Sequence, residues 1–348
     1  MNPRRLLIIL VAAISLLSVS CARQLNSRDG LPVGVPVDLN DLGTILSVDY
    51  EGDVPHAVLL SEADGLSTRI DGPDGAGFVP TALNQFSTMV GSVITGSGRE
   101  VTSRAAVWIR GRGITLLPLP EGTFQSWATD VNEHAEITMN AYSPGGSPAD
   151  GAYIVFGISA FTGEPLKFVR LPEPIGIPNG RPTVAEAITD GGVAVGASGN
   201  GSAAGLERAV EWERALRPGR FLETRGVLSH ALDINEHGTI VGYGVTTPGE
   251  PSRALSWLQG PDDRTLIDLG PGLAKSVNES DWLVGQDTST SPPTAVAWSA
   301  RFRTRFQLGQ LRPGTASIAS ALNNLSFAVG DTGGLSTYYS LQPDAPLN

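Results

Sequence analysis

The chain has 348 residues, with 42 glycines, 25 prolines, one cysteine, 41% hydrophobic residues and a formal charge of -11. That composition suits many short strands joined by turns and excludes a disordered chain. The acidic balance repels phosphate backbones and anionic headgroups, which argues against nucleic acid as a partner.

Residues 1–20 open with Arg4 and Arg5, continue through the apolar run from Leu6 to Leu17, and end in Ser18, Val19 and Ser20 before Cys21. This pattern is that of a signal peptide. Its apolar core of 12 residues is too short to cross about 30 Å of hydrocarbon. Removing it takes the charge to -13, because both arginines go with it.

The segment resembles a bacterial lipoprotein leader, in which the cysteine after the cleavage point receives lipid through its thiol. Here that residue is Cys21, with Ser20 and Val19 matching the pattern and Ser18 standing where the family usually has leucine. Cleavage after Ala22 is the alternative and would leave a soluble secreted protein. An exported chain with one cysteine has no internal disulfide to make, which favours lipidation at Cys21. Ala22 in place of aspartate implies, by the same resemblance, the outer membrane. Residues 21–36 are expected to be the anchor cysteine and a polar tether.

From residue 37 to 348 the chain repeats. An aliphatic residue precedes each of the anchors Asn40, Asn84, Asn132, Thr189, Asn235, Asn278 and Asn323, spaced by 44, 48, 57, 46, 43 and 45 residues. Periods of this size mark propellers or arrays. The alternation before each anchor predicts a strand with one buried face, and the anchor opens a type I turn with Gly43, Gly192 or Gly238 in its fourth place. Ser87, Ala135, Asp281 and Ser326 stand there in the other copies, which are expected to turn differently. Seven residues past the anchor, Gly91, Gly196, Gly242, Gly285 and Gly330 each follow a valine in a second strand, where glycine signals a bulge or close backbone approach.

Third strands end in Trp108, Trp212, Trp257 and Trp298, and fourth strands are visible at 114–119, 266–269 and 306–311. Seven such units predict an all-β fold, a β-propeller of seven four-stranded blades. The last copy lacks a clear fourth strand, and residues 31–37 are expected to supply it and so close the ring.

At these residues the chain resembles the bacterial extracellular HAF-repeat family, named for a His-Ala-Phe step, a tryptophan, an aliphatic-Asn turn and a Val-Gly pair. His56 and Ala57 keep the first two letters. The resemblance implies an exported, propeller-like repeat protein and no chemistry that can be transferred residue by residue.

The four tryptophans share one repeat position, readable as a sugar-stacking platform or as packing between blades. Arg104, Arg208 and Arg253 form either an anion row or ion pairs. Asp38, Asp130 and Asp233 recur in alternate copies and, on an innermost strand, would face a channel where hard oxygen ligands could hold calcium or a cationic ligand; the alternative is hydrogen bonding to the backbone near their own turns. His56, His134, His230 and His237 share no metal-ligand spacing. The spacer from Phe156 to Pro182 is a candidate binding loop. Together these features predict a lipid-anchored cell-envelope binding or scaffolding module with a protein or glycan partner. The alternative is an extracytoplasmic glycan-active hydrolase or lyase, which would need acidic or histidine side chains converging in one pocket.

Overall fold

The computed structural model describes residues 21–30, 33–96, 101–143, 150–158, 165–174, 183–199, 207–213, 217–224, 226–260, 263–300 and 304–341. The expected leader, residues 1–20, therefore lies outside the described residues, as does much of the spacer from 156 to 182. The fold is all-β and propeller-like, with one 3-10 turn at Pro73–Gly75 among the described residues.

Each repeat forms an antiparallel meander in chain order. The first is Val35–Leu39, Thr44–Glu51, Val54–Ser61 and Ser67–Ile70; the second is Gly77–Leu83, Met89–Thr95, Thr102–Ile109 and Gly113–Leu116. The third is Gln125–Val131, Ile137–Tyr142, Gly151–Ile158 and Pro165–Arg170; the fourth is Thr183–Ile188, Ala194–Gly199, Glu207–Trp212 and Arg220–Phe221. The third copy is thus a full sheet, and part of the spacer expected to be a binding loop is its outer strand, Pro165–Arg170.

Seven separate blades are not found: five four-stranded sheets stand alone, and the fifth and sixth repeats form one seven-stranded sheet. Its strands are Leu228–Ile234, Ile240–Val245, Arg253–Leu258, Thr265–Val277, Trp282–Asp287, Thr294–Ser299 and Thr304–Gln307. Thr265–Val277 pairs through its first half with the strand before it and through its second half with the strand after it. No loop intervenes; the change of direction is made within the strand at Gly270 and Gly272, both at positive φ.

The last sheet contains Ser317–Leu322, Phe327–Thr332, Leu335–Ser340 and, outermost, Cys21–Gln24. The chain ends do close the fold, but through another segment than expected. Cys21 pairs with Ser340 and Gln24 with Thr337, whereas Val35–Leu39 is the inner strand of the first sheet. Residues 21–24 are therefore strand and not tether. The reason is visible in the side chains: Ala22 packs against the last core cluster, and Arg23 lies 4.5 Å over the Tyr338 ring and is paired with Glu62.

The core is a series of clusters between neighbouring sheets. Trp212 packs with Ile154, Leu171 and Ile188, and Trp257 with Leu222, Ile234 and Ile240. Both tryptophans are fully buried, and their indole N–H groups donate to the carbonyls of Pro172 and Glu223 on the preceding repeat. That is packing between units, with no face left for a sugar. The shared arginines are equally structural: Arg104 and Arg208 donate to the carbonyls of Leu117 and Leu222, and Arg253 pairs with Asp268 at 2.6 Å.

Candidate functional site: the central channel

The strand before each anchor is the innermost one, and in all seven repeats it carries a bulge at the same place. The extra residue, three before the anchor, is Val37, Thr81, Thr129, Glu186, Leu232, Lys275 or Ser320, and all seven line one cavity of about 460 Å³. The Val-Gly pair accommodates the bulge in five of the seven repeats, while Ser47 and Met139 stand at that place in the other two. A Cβ on Gly91, Gly196, Gly242, Gly285 or Gly330 would collide with the carbonyl of the inner strand beside it, so glycine lets the bulged backbone come close.

Two hydrogen-bonded rings hold the inner strands in place. The side-chain amide of each anchor asparagine donates to the carbonyl of the next anchor, from Asn40 to Asn84, Asn132 and Thr189, and from Asn235 to Asn278, Asn323 and back to Asn40, at 2.9 to 3.2 Å. One link is missing, because Thr189 has no amide. In the second ring the backbone N–H after each anchor donates to the side chain one place on in the next repeat. It runs through Asp41, Gln85, Glu133, Asp190, Glu236, Glu279 and Asn324 and closes on Asp41. Five carboxylates thus crowd one mouth of the channel. Burial, and the neighbouring acids, hold the Glu133 and Glu279 carboxyls above their usual range.

The anchor turns are uniform, contrary to expectation. Ser87, Ala135, Asp281 and Ser326 adopt φ values of 56 to 64°, the same left-handed region as Gly43, Gly192 and Gly238. The rings explain why a strained residue is tolerated: the anchor side chain and its neighbours impose the turn from both sides.

Asp38, Asp130 and Asp233 do reach the channel cavity, but their oxygens are engaged. One oxygen of each accepts the next backbone N–H of its own strand, and the other accepts that of Leu83, Ile188 or Val277 in the following repeat, at 2.8 to 2.9 Å. Each carboxylate is a clasp between two units. Burial raises the three carboxyls to about 7, about 6 and about 7, opposed by the amide hydrogen bonds; for Asp38 and Asp233 the charge on Asp130 adds to the rise. Among the described residues, no group of three or more His, Cys, Asp or Glu is arranged to hold a metal ion.

The channel groups that sequence reasoning missed are Glu186 and Lys275, the two charged members of the bulge row. Lys275 is exposed to channel water, yet the surrounding protein depresses its pKa and Glu186 partly restores it. Glu186 also accepts from His230 Nε2 at 3.0 Å, while Glu207 takes Nδ1 at 3.1 Å. The imidazole stacks on Tyr243 with ring centroids 5.7 Å apart. Burial opposes the charge on His230, but the two carboxylates outweigh it and raise its pKa to about 9. The signal was available: within an otherwise constrained repeat, the third residue before the anchor varies from valine to glutamate to lysine. The other two singled-out histidines on the anchor turns, His134 and His237, are exposed and sit beside Asp190 and Glu279, while His56 contacts Asp71 at 2.7 Å.

No family model matches the chain, and no curated protein matches it. Among solved structures the chain is similar to a streptogramin B lyase, at 9% identity and a TM-score of 0.56, covering 93% of this chain and 98% of that one. It is also similar to the polysaccharide lyase Uly1, at 10% identity and a TM-score of 0.49, covering 91% of each chain. TolB from Acinetobacter baumannii matches at 10% identity and a TM-score of 0.45, covering 86% of this chain and 62% of that one. At such identities the likeness concerns the fold alone.

Proposed function

We propose that this chain is an exported β-propeller of seven units, held at the cell envelope through Cys21, that binds a small polar ligand in its channel. The seven-stranded sheet counts as two units that share Thr265–Val277, which brings the count into line with seven anchors in one cycle. The observation that carries the binding reading is the convergence of seven bulged residues on a single cavity of about 460 Å³, a volume in the range of ligand sites. Thr81 and Thr129 spend their hydroxyls on the carbonyls of Ala128 and Ala185. Glu186 and Lys275 therefore supply the distinguishing charges, and the acidic lining favours a ligand with an amine or a metal cation such as calcium, or a glycan that answers both charges.

Anchoring at Cys21 is supported by the pairing of Cys21–Gln24 with the last strand. Cleavage after Ala22 would remove two of the four residues paired with Leu335–Ser340. The reading places the protein at the outer membrane or cell surface, with an envelope protein or glycan as partner.

A second reading, a glycan-active hydrolase or lyase, is favoured by His230, which joins Glu186 at the channel wall to Glu207 and Tyr243. Melting of the mature chain with calcium, chelator, amines and envelope glycans separates the readings. A ligand that binds only the folded state adds about 2.7 kcal/mol at a hundredfold excess over Kd. The account expects a shift that disappears in Glu186→Gln and Lys275→Met. Turnover of a glycan that is lost in His230→Gln would favour the enzyme instead, and the absence of any shift across the panel would count against the channel as a ligand site.

A further inference from the structure

The position of the closing strand says how an anchored molecule would stand. Cys21 is the first residue of the outermost strand in the last sheet and pairs with Ser340. Ser340 pairs in turn with Phe327, and Leu341 N–H donates to Ser326 O in the anchor turn. Cys21 thus lies at the end of the molecule that carries the anchor turns, two strand spacings or about 10 Å from Phe327. No spacer separates it from the folded ring.

That end is asymmetric. Two residues after the anchor, the side chain is Leu325, Leu42 or Phe86 in the last, first and second repeats, exposed by 49%, 72% and 75%. Leu66, exposed by 52%, joins them, because its hairpin is tied to the first anchor turn by the Glu62 N–H donating to Gly43 O. The equivalent places in the other repeats are His134, Gly191, His237 and Ser280. The apolar arc therefore spans three adjacent repeats, and the last of them holds Cys21.

Resting on the proposed lipid anchor, we infer that the anchor-turn end is a membrane-docking face, with Leu325, Leu42, Leu66 and Phe86 lodged in the headgroup region beside the acyl chains. With no spacer after the anchor, this end is held against the bilayer surface, where apolar contacts add to the attachment that the lipid provides. The ring of five carboxylates on the same end selects zwitterionic over anionic lipid. The opposite end, where Phe124 N–H meets Tyr142 O, faces away from the bilayer.

The test uses the full chain isolated from membranes and reconstituted in phosphatidylcholine vesicles carrying brominated acyl chains. Phe86→Trp and Phe124→Trp are compared with the parent, whose own tryptophans set the background. The expected result is flotation of all three, loss of the added emission at position 86 and none at position 124. Flotation with quenching at 124, at both positions or at neither would overturn the docking face while leaving the anchor intact. Failure to float, with no lipid on Cys21 by mass, would overturn both.

Discussion

The gap in the asparagine ring offers a gain-of-stability test. Asn132 reaches the carbonyl of Thr189 at 2.9 Å, but Thr189 offers only a hydroxyl, which accepts from Val193 N–H at 3.1 Å. The carbonyl of Asn235 is left with the turn bond from Gly238. Thr189→Asn keeps the acceptor and adds an amide in the geometry of the other six copies. One net buried hydrogen bond contributes about 0.5–1.5 kcal/mol, with a rise of roughly 1.5 °C per kcal/mol in a chain of this size. The converse change, Asn84→Thr, retains a hydroxyl for Thr88 N–H but strips from Asn132 O the amide donor now bonded at 3.1 Å, leaving that carbonyl the turn bond from Ala135 N–H; loss of the one hydrogen bond costs about 0.5–1.5 kcal/mol. Calorimetric melting and urea unfolding of residues 21–348 would read both. If Thr189→Asn is neutral or destabilising while Asn84→Thr destabilises, the cyclic ring is not a continuous structural unit and the reasoning fails.

Three further outcomes follow from the same geometry. Ala135→Gly and Ser326→Gly should each raise stability by about 0.5–1 kcal/mol, since relief of about 1–2 kcal/mol of left-handed strain exceeds the entropic cost of glycine; a lower midpoint for both would refute the uniform turn. Gly242→Ala should be strongly destabilising, because its Cβ meets the His230 carbonyl and the bulge cannot retreat without losing its pairing, so a fold of unchanged midpoint would refute the close approach. The raised carboxyls of Asp38, Asp130 and Asp233 bind protons more tightly when folded, so their contribution is complete below about pH 4 and is lost as pH rises through about 6 to 7. Stability profiles should therefore be flatter over that interval in the triple Asn variant than in the parent, and an unchanged slope would contradict the burial of these groups.

Much of the scaffold was legible because its determinants are local. The aliphatic-Asn step marks six of the seven inner strands, with Thr189 in the remaining one, and the glycine after valine marks five of the seven bulges. The repeat position of the tryptophans allowed packing or a platform, and Trp212 and Trp257 are buried between adjacent sheets, which is what one position occupied by a large aromatic supplies. What could not be read was register across the ring. The bulge shifts which side chains reach the channel by one residue, so Asp38, Asp130 and Asp233 drew attention while Glu186 and Lys275 did not. The identity of the closing strand was equally hidden: residues 31–37 and 21–24 both precede the first anchor, and only the fit of Ala22 and Arg23 against Tyr338, Glu62 and the last core cluster decides between them. Four strained residues in the anchor turns escaped because a local rule that asks for glycine cannot register two rings of hydrogen bonds imposed from neighbouring repeats.

Hydrogen exchange on residues 21–348, with and without whichever ligand shifts the melting point, tests the channel reading most directly. The account predicts added protection at the bulged inner strands, above all at 183–188 and 272–277 around Glu186 and Lys275, with the outer strands unchanged. Protection confined to the loops at the far end of the molecule or to the outer strands, with the inner strands unaltered, would contradict it.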